Sequence, residues 1–80
     1  AIHIGGAVPE QFKHDLAAEL GAVSLYNKGI RQAVEVGDNG TRLLLESILA
    51  DEEEHVDWLE ARLEQIEQMG IQNYLVEQSD

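Results

Sequence analysis

Apolar residues recur along most of this chain at the three- and four-residue steps of an α-helix, in two long runs separated by a short polar break. The first run carries Phe12, Leu16, Leu20, Val23, Ile30 and Val34 and predicts a helix over 9–36. Pro9 suits its first turn, where the missing N–H would have no helical partner anyway. Ahead of it, AIHIGGAV reads as an extended lead-in over 1–8, because Gly5-Gly6 interrupts any regular pattern. Gly21 and Gly29 each weaken the first helix by ~1 kcal/mol relative to alanine, so packing has to compensate.

The break itself is EVGDNGT. Gly37 fits the residue just past a helix C-terminus, and the Asp38 side chain can cap the next helix. The second helix is predicted over 39–69, with Gly70 as its stop. IQNYLVEQ predicts a short helix over 72–78, followed by a frayed Ser79-Asp80 end. The chain shows no repeat, no low-complexity tract and no convincing strand, so residues 1–80 read as a single all-α unit.

So short a break folds the two long helices back on each other as an antiparallel hairpin. A hairpin covers only part of each apolar stripe, and the rest still faces water. The expected architecture is therefore half of a four-helix bundle, completed by a partner chain.

Composition sharpens this. A lone domain of 80 residues buries only ~60% of its unfolded surface and is marginal unless something staples it. There is no cysteine, which excludes disulfides and thiolate-bound zinc or iron–sulfur groups. A metal held by oxygen and imidazole donors remains, as do partner subunits. The formal net charge of −11 argues against nucleic acid and anionic membrane surfaces, which reward lysine and arginine, and suits cations. No signal-peptide pattern and no run near the ~20 apolar residues of a membrane span is present, so the expected compartment is the cytoplasm. The chain begins at Ala1 rather than methionine, which fits a processed, tagged or clipped product.

The acids are not spread evenly around the helices. In the second helix, Leu45, Ile48, Glu52, His55, Leu59 and Ile66 share one face, with Leu63 beside them. Within DEEEH (51–55), Glu52 and His55 thus point toward the core, while Asp51, Glu53 and Glu54 fall on flanking or outer positions. In the first helix, Phe12, Leu16, Glu19, Val23, Tyr26, Ile30 and Ala33 form the corresponding stripe, with Glu19 squarely on it.

One glutamate on a core stripe is usually a side chain that snorkels outward, and one inward histidine is usually a satisfied core residue. Two carboxylates and a histidine together are harder to dismiss, because uncompensated buried charge is expensive. A cation resolves the cost. A Glu on one helix and Glu-x-x-His on the next is half of the ligand set of di-iron carboxylate bundles. A two-fold dimer would supply two Glu19, two Glu52 and two His55. Carboxylates can bridge two ions, and one histidine per ion leaves positions open for O2 or peroxide. Ligand types alone leave zinc and manganese open, although the HExxH order of zinc proteases is missing. The competing class is a non-catalytic helical association module whose buried acids make inter-subunit hydrogen bonds.

Other residues are less decisive. Tyr26, two turns after Glu19, reads equally as a tyrosine next to a metal or as a core aromatic. Trp58 could send its indole N–H to a ligand carboxylate or serve only in packing. Asp51, Glu53, Glu54 and Glu60 are most simply solvated, with passage of Fe(II) a minor role. His3 is uninformative, as is His14, though it is near enough to Asp15 and Glu19 to take adventitious metal.

The stretch from AAELGAVSLYN through DEEEHVDWLE to GIQNYL resembles the C-terminal half of a bacterioferritin over residues 12–76. DEEEHVDWLE is its most specific part. Within the resemblance Glu19 matches a ligand of the third helix, Glu52 the bridging carboxylate and His55 the histidine ligand. It implies a ferritin-like half-bundle, a centre that oxidises Fe(II) with O2 or peroxide, and iron storage or detoxification in a hollow shell of many subunits. The first two helices of a bacterioferritin, which carry the rest of the di-iron site and the methionine that ligates haem, have no counterpart here. Met69 does not match that methionine, so haem in the parent assembly would be ligated outside this chain. Two accounts follow: a chain whose other half lies elsewhere, or a plan similar to the encapsulated ferritins, in which a two-helix chain dimerises within a protein shell and leaves storage to it. AELGAVSLYN is similar to their first-helix pattern, whereas GIQNYL favours the first account.

Overall fold

The computed structural model describes residues 4–78, with side chains described from residue 8 onward. Three helices follow in order: α1 (Ile4–Val36), α2 (Asn39–Met69) and α3 (Ile71–Gln78). Among the described residues only Gly37, Asp38 and Gly70 lie outside them.

α1 starts at Ile4, so residues 4–8 are helical where an extended segment was expected. Proline explains how the helix runs through. The ring fixes φ of Pro9 near the helical value, but inside the helix it removes the N–H aimed at the carbonyl of Gly5 and crowds that carbonyl, so the first turn carries a cost of about 3 kcal/mol. Gly5-Gly6 lower helix propensity without forbidding helical backbone. The first three residues, His3 among them, and the last two lie outside the described residues.

Two glycine joints shape the chain. Gly37 takes φ 74°, a left-handed conformation that a side chain would strain. The Gly37 N–H donates to Val34 O at 3.1 Å and the Asp38 N–H to Ala33 O at 2.8 Å, which closes the end of α1 as a Schellman motif. Asp38 then caps α2: its Oδ1 accepts from the Thr41 N–H at 3.0 Å and its Oδ2 from the Thr41 hydroxyl at 2.6 Å. Gly70, at φ 80°, donates its N–H to Ile66 O at 2.8 Å and accepts from the Tyr74 N–H at 3.0 Å. α3 therefore starts directly after the bend.

The long helices lie side by side in a body of 54 × 23 × 17 Å. Its long axis is the length of α1, whose 33 residues span about 50 Å at 1.5 Å each. The seam between the helices buries Ala33, Val56, Leu59 and Ile66, and α3 folds back so that Tyr74 is buried as well. α3 touches both long helices. Near the turn the helices come close: a Cβ on Gly29 would sit 3.0 Å from Leu45 Cδ1, whereas one on Gly21 would meet nothing within 4 Å. Large apolar side chains stay in water, including Leu25 (70% exposed), Leu44 (61%) and Trp58 (51%). No helix among the described residues is long and apolar enough to cross a membrane.

Two expectations follow for folding. Gly21→Ala stabilises the fold by about 0.5–1 kcal/mol through helix propensity, whereas Gly29→Ala gains less because Leu45 must move; equal shifts in urea midpoint would contradict the close approach. The second concerns pH. Thr41, through its hydroxyl and then its N–H, holds the Asp38 carboxyl below its ordinary value of 3.8. A depressed folded-state pKa stabilises the fold above the unfolded value and loses that effect as pH falls through the folded one. Asp38→Ala should therefore lower the thermal midpoint at pH 7, with the gap closing below pH 3.8, while Asp38→Asn keeps most of the cap at either pH.

Candidate metal centre

Helical geometry sets where the acids go. On α1 Glu19 shares the seam face with Phe12 and Tyr26, and Asp15 lies one turn before it. On α2 Glu52 and His55 stand one turn apart, ahead of the buried Leu59. Side by side, the helices bring Glu19, Glu52 and His55 together, each with one ligand atom within 4.8 Å of the others. Donors held at roughly 2.1 Å by one cation lie about 3 Å apart when adjacent and about 4.2 Å when opposite. Small side-chain rotations would close the remaining gap.

The three are not interior residues of the single chain. The His55 side chain is 63% exposed and that of Glu19 29%; Glu52 is half-buried. They stand at the edge of the seam, midway along both long helices. A groove of about 250 Å³ opens there, lined by Asp15, Ala18, Glu19, His55, Trp58 and Leu59.

Electrostatics single out Glu19. Its Oε2 is buried and makes no hydrogen bond. The nearest opposite charge it can find is His55, Nδ1 to Oε2 at 3.7 Å, when that ring is protonated. An acceptor carrying charge out of water without a donor is costly. Lysine and arginine do not relieve it: the lysine and arginine ion pairs seen are Lys13–Glu10 at 3.8 Å and Arg42–Glu46 at 2.9 Å. Two carboxylates, one of them with an unsatisfied oxygen, and one imidazole form a donor set suited to a divalent cation of intermediate hardness.

The other residues singled out in the sequence lie in different settings. Trp58 lines the groove but is engaged in packing: its ring meets Phe12 edge to face at 5.7 Å and 89°, and the Arg62 guanidinium sits 5.1 Å from the ring centre. Tyr26 is half-buried in the seam, about 10 Å along α1 from Glu19. His14 is exposed and outside the cluster, and Asp51, Glu53, Glu54 and Glu60 are exposed. Asp15 is the groove residue that the reading of inward positions passed over. Its spacing of four from Glu19 was the available signal.

The family described as ferritin-like domain matches residues 2–69. The bacterioferritins of Mycobacterium bovis and Streptomyces coelicolor are 40% and 38% identical over 74 residues, which is 92% of this chain and 46% and 44% of theirs. The bacterial ferritin of Synechocystis sp. is 40% identical over 78 residues, 96% of this chain and 50% of its own length. The chain thus spans about half the length of the curated relatives it matches, consistent with the C-terminal half of a bacterioferritin. No solved structure matches it.

The unmet charge on Glu19 has a measurable consequence. Glu19→Gln keeps the shape and removes the charge, so the metal-free protein should gain on the order of 1 kcal/mol. Co(II) in excess should then raise the thermal midpoint of the wild type, by the equivalent of ~2.7 kcal/mol at a hundredfold excess over Kd, and move the variant far less. A wild type that gains nothing from Co(II) and starts no less stable than Glu19→Gln would remove the cation from this site.

Proposed function

The chain belongs to the ferritin-like family, and from that premise we propose that it supplies half of a di-iron ferroxidase centre and serves iron storage or detoxification. The observation that carries this reading is the convergence of Glu19, Glu52 and His55 around a buried, unpartnered Glu19 Oε2. Glu19 would bind one ion from α1, His55 would bind from α2, and Glu52 would be the carboxylate shared by two ions. Fe(II) is the substrate, and the other ligands come from a second chain that closes the bundle.

A second copy of this chain would bring another Glu19, Glu52 and His55 and meets the ligand count of such bundles. A different chain carrying the other two helices meets it equally well. Either way the open groove becomes enclosed, and the charges at its edge lose contact with bulk water and gain strength toward the metal. The assembly is a cage or ring in the cytoplasm, with or without a surrounding shell.

The chemistry balances simply. Two Fe(II) release one electron each, and O2 with two protons takes both to become hydrogen peroxide; with peroxide as oxidant, the same electrons and protons yield water. The protein contributes no electrons. Its carboxylates stabilise the higher charge of Fe(III), a hard ion that prefers oxygen donors, and single imidazole ligation leaves coordination positions open for the oxidant.

Anaerobic Fe(II) titration of the assembled protein should saturate near two irons per completed site. Admission of air should then produce a ferric absorbance that Glu52→Ala abolishes. Iron oxidation unchanged in that variant would sink the assignment.

A further inference from the structure

The first two residues of α2 are Asn39 and Gly40. A glycine has no side chain to shield its backbone nitrogen and the freest backbone of any residue. The nitrogen of Gly40 is therefore well placed to reach the amide carbon of the Asn39 side chain. Asn39, Gly40 and Thr41 are all exposed, so no tertiary packing holds this turn. The Gly40 N–H is one of the donors that a helix start leaves over, and it has no acceptor among the described residues. The Arg42 Nε–H reaches Asn39 Oδ1 at 3.4 Å. It sets a positive charge beside the oxygen on which negative charge develops when the amide carbon is attacked.

The remaining asparagines, Asn27 and Asn73, are set differently, and neither precedes a glycine. Their side-chain amides donate to Val23 O at 3.1 Å and to Met69 O at 2.9 Å. The N–H that follows Asn73 donates to Gly70 O at 3.0 Å. The one that follows Asn27 lies inside α1, where the carbonyl four residues back takes it.

We propose that Asn39 is a site of spontaneous deamidation, gated by the Asp38 cap. Helical backbone at Asn39 keeps the Gly40 nitrogen away from Cγ, and ring closure requires ψ of Asn39 to leave the helical region. The first turn must open for that to happen. The side-chain contacts that hold it closed are those from Asp38 to the Thr41 N–H and hydroxyl, at 3.0 and 2.6 Å. In the opened turn the Gly40 nitrogen gives its proton to water and bonds to Asn39 Cγ. The bond from Cγ to the amide nitrogen breaks, and that nitrogen takes a proton from water and leaves as ammonia. Water then opens the cyclic imide. Attack at the side-chain carbonyl gives aspartate, and attack at the main-chain carbonyl gives isoaspartate, in which the chain continues through Cβ. Either product adds a negative charge next to Asp38. Isoaspartate also lengthens the main chain at the joint between the long helices, which takes the Asp38 cap out of register with Thr41.

The test incubates the intact protein in mildly alkaline buffer and follows it by peptide mass mapping and ammonia release. Asn39 should change in mass from amide to acid, with separable aspartate and isoaspartate peptides and equimolar ammonia, while Asn27 and Asn73 remain amides. Asp38→Ala should speed the conversion about fivefold, the factor that corresponds to loss of a typical cap. Asp38→Ser, which caps without a charge, should stay near the wild-type rate. Gly40→Ala should slow conversion strongly; its added methyl meets only Asp38 Oδ1, at an ordinary 3.8 Å. An Asn39 that remains an amide overturns the proposal, and so does conversion of Asn27 or Asn73 at the same rate. An Asp38→Ala rate equal to wild type removes the gate, as does acceleration at all three asparagines, which would report general unfolding.

Discussion

Two helices packed side by side share one seam, and everything else on them faces outward. That limit governs this chain. The seam buries Ala33, Val56, Leu59 and Ile66, with Tyr74 added from α3, which is a small core for a protein of this size. The edge of the seam is where Glu19, Glu52 and His55 meet. Position at the edge makes them at once accessible to an ion and incompletely solvated. A deeper position would have shut the metal out, and a fully exposed one would have left the carboxylates to water.

The same limit explains the uneven surface. At 3.6 residues per turn, Glu46, Glu53, Asp57, Glu60, Glu64 and Glu67 fall on the flank of α2 that faces away from the groove, and all are exposed. The groove flank carries Asp51, His55, Trp58 and Arg62, with Leu44 farther along. Arg62 stacks on Trp58, and its buried Nε has no hydrogen-bond partner. One flank is thus suited to water. The other joins exposed apolar surface to the carboxylate–histidine cluster and to buried hydrogen-bonding groups without partners.

Much of the fold could be read from residue spacing. Helical periodicity located the two long helices, and the glycines at 37 and 70 marked the joints because each needs a left-handed backbone. The cap at Asp38 was legible for a similar reason: a short acceptor side chain just before a helix has few better uses. The lead-in was misread. Gly5-Gly6 and Pro9 resemble punctuation, yet α1 runs through them from Ile4, because φ of proline is already helical and glycine does not forbid helical backbone. Trp58 was read with equal weight as a donor to a ligand or a packing residue, and its contacts with Phe12 and Arg62 are those of packing.

Of the site itself, the sequence determined which residues share a face, because helical phase is a local property fixed by counting along one chain. That was enough to separate Glu52 and His55 from the acids around them and to match them with Glu19. It could not determine how deep those residues lie, since burial depends on what stands across from them. The tertiary arrangement decided that His55 remains largely in water, that Glu19 Oε2 is enclosed without a partner, and that Asp15 opens onto the same groove. Each of these depends on how α2 lies against α1, a relation between residues more than 30 positions apart that no periodicity within either helix encodes.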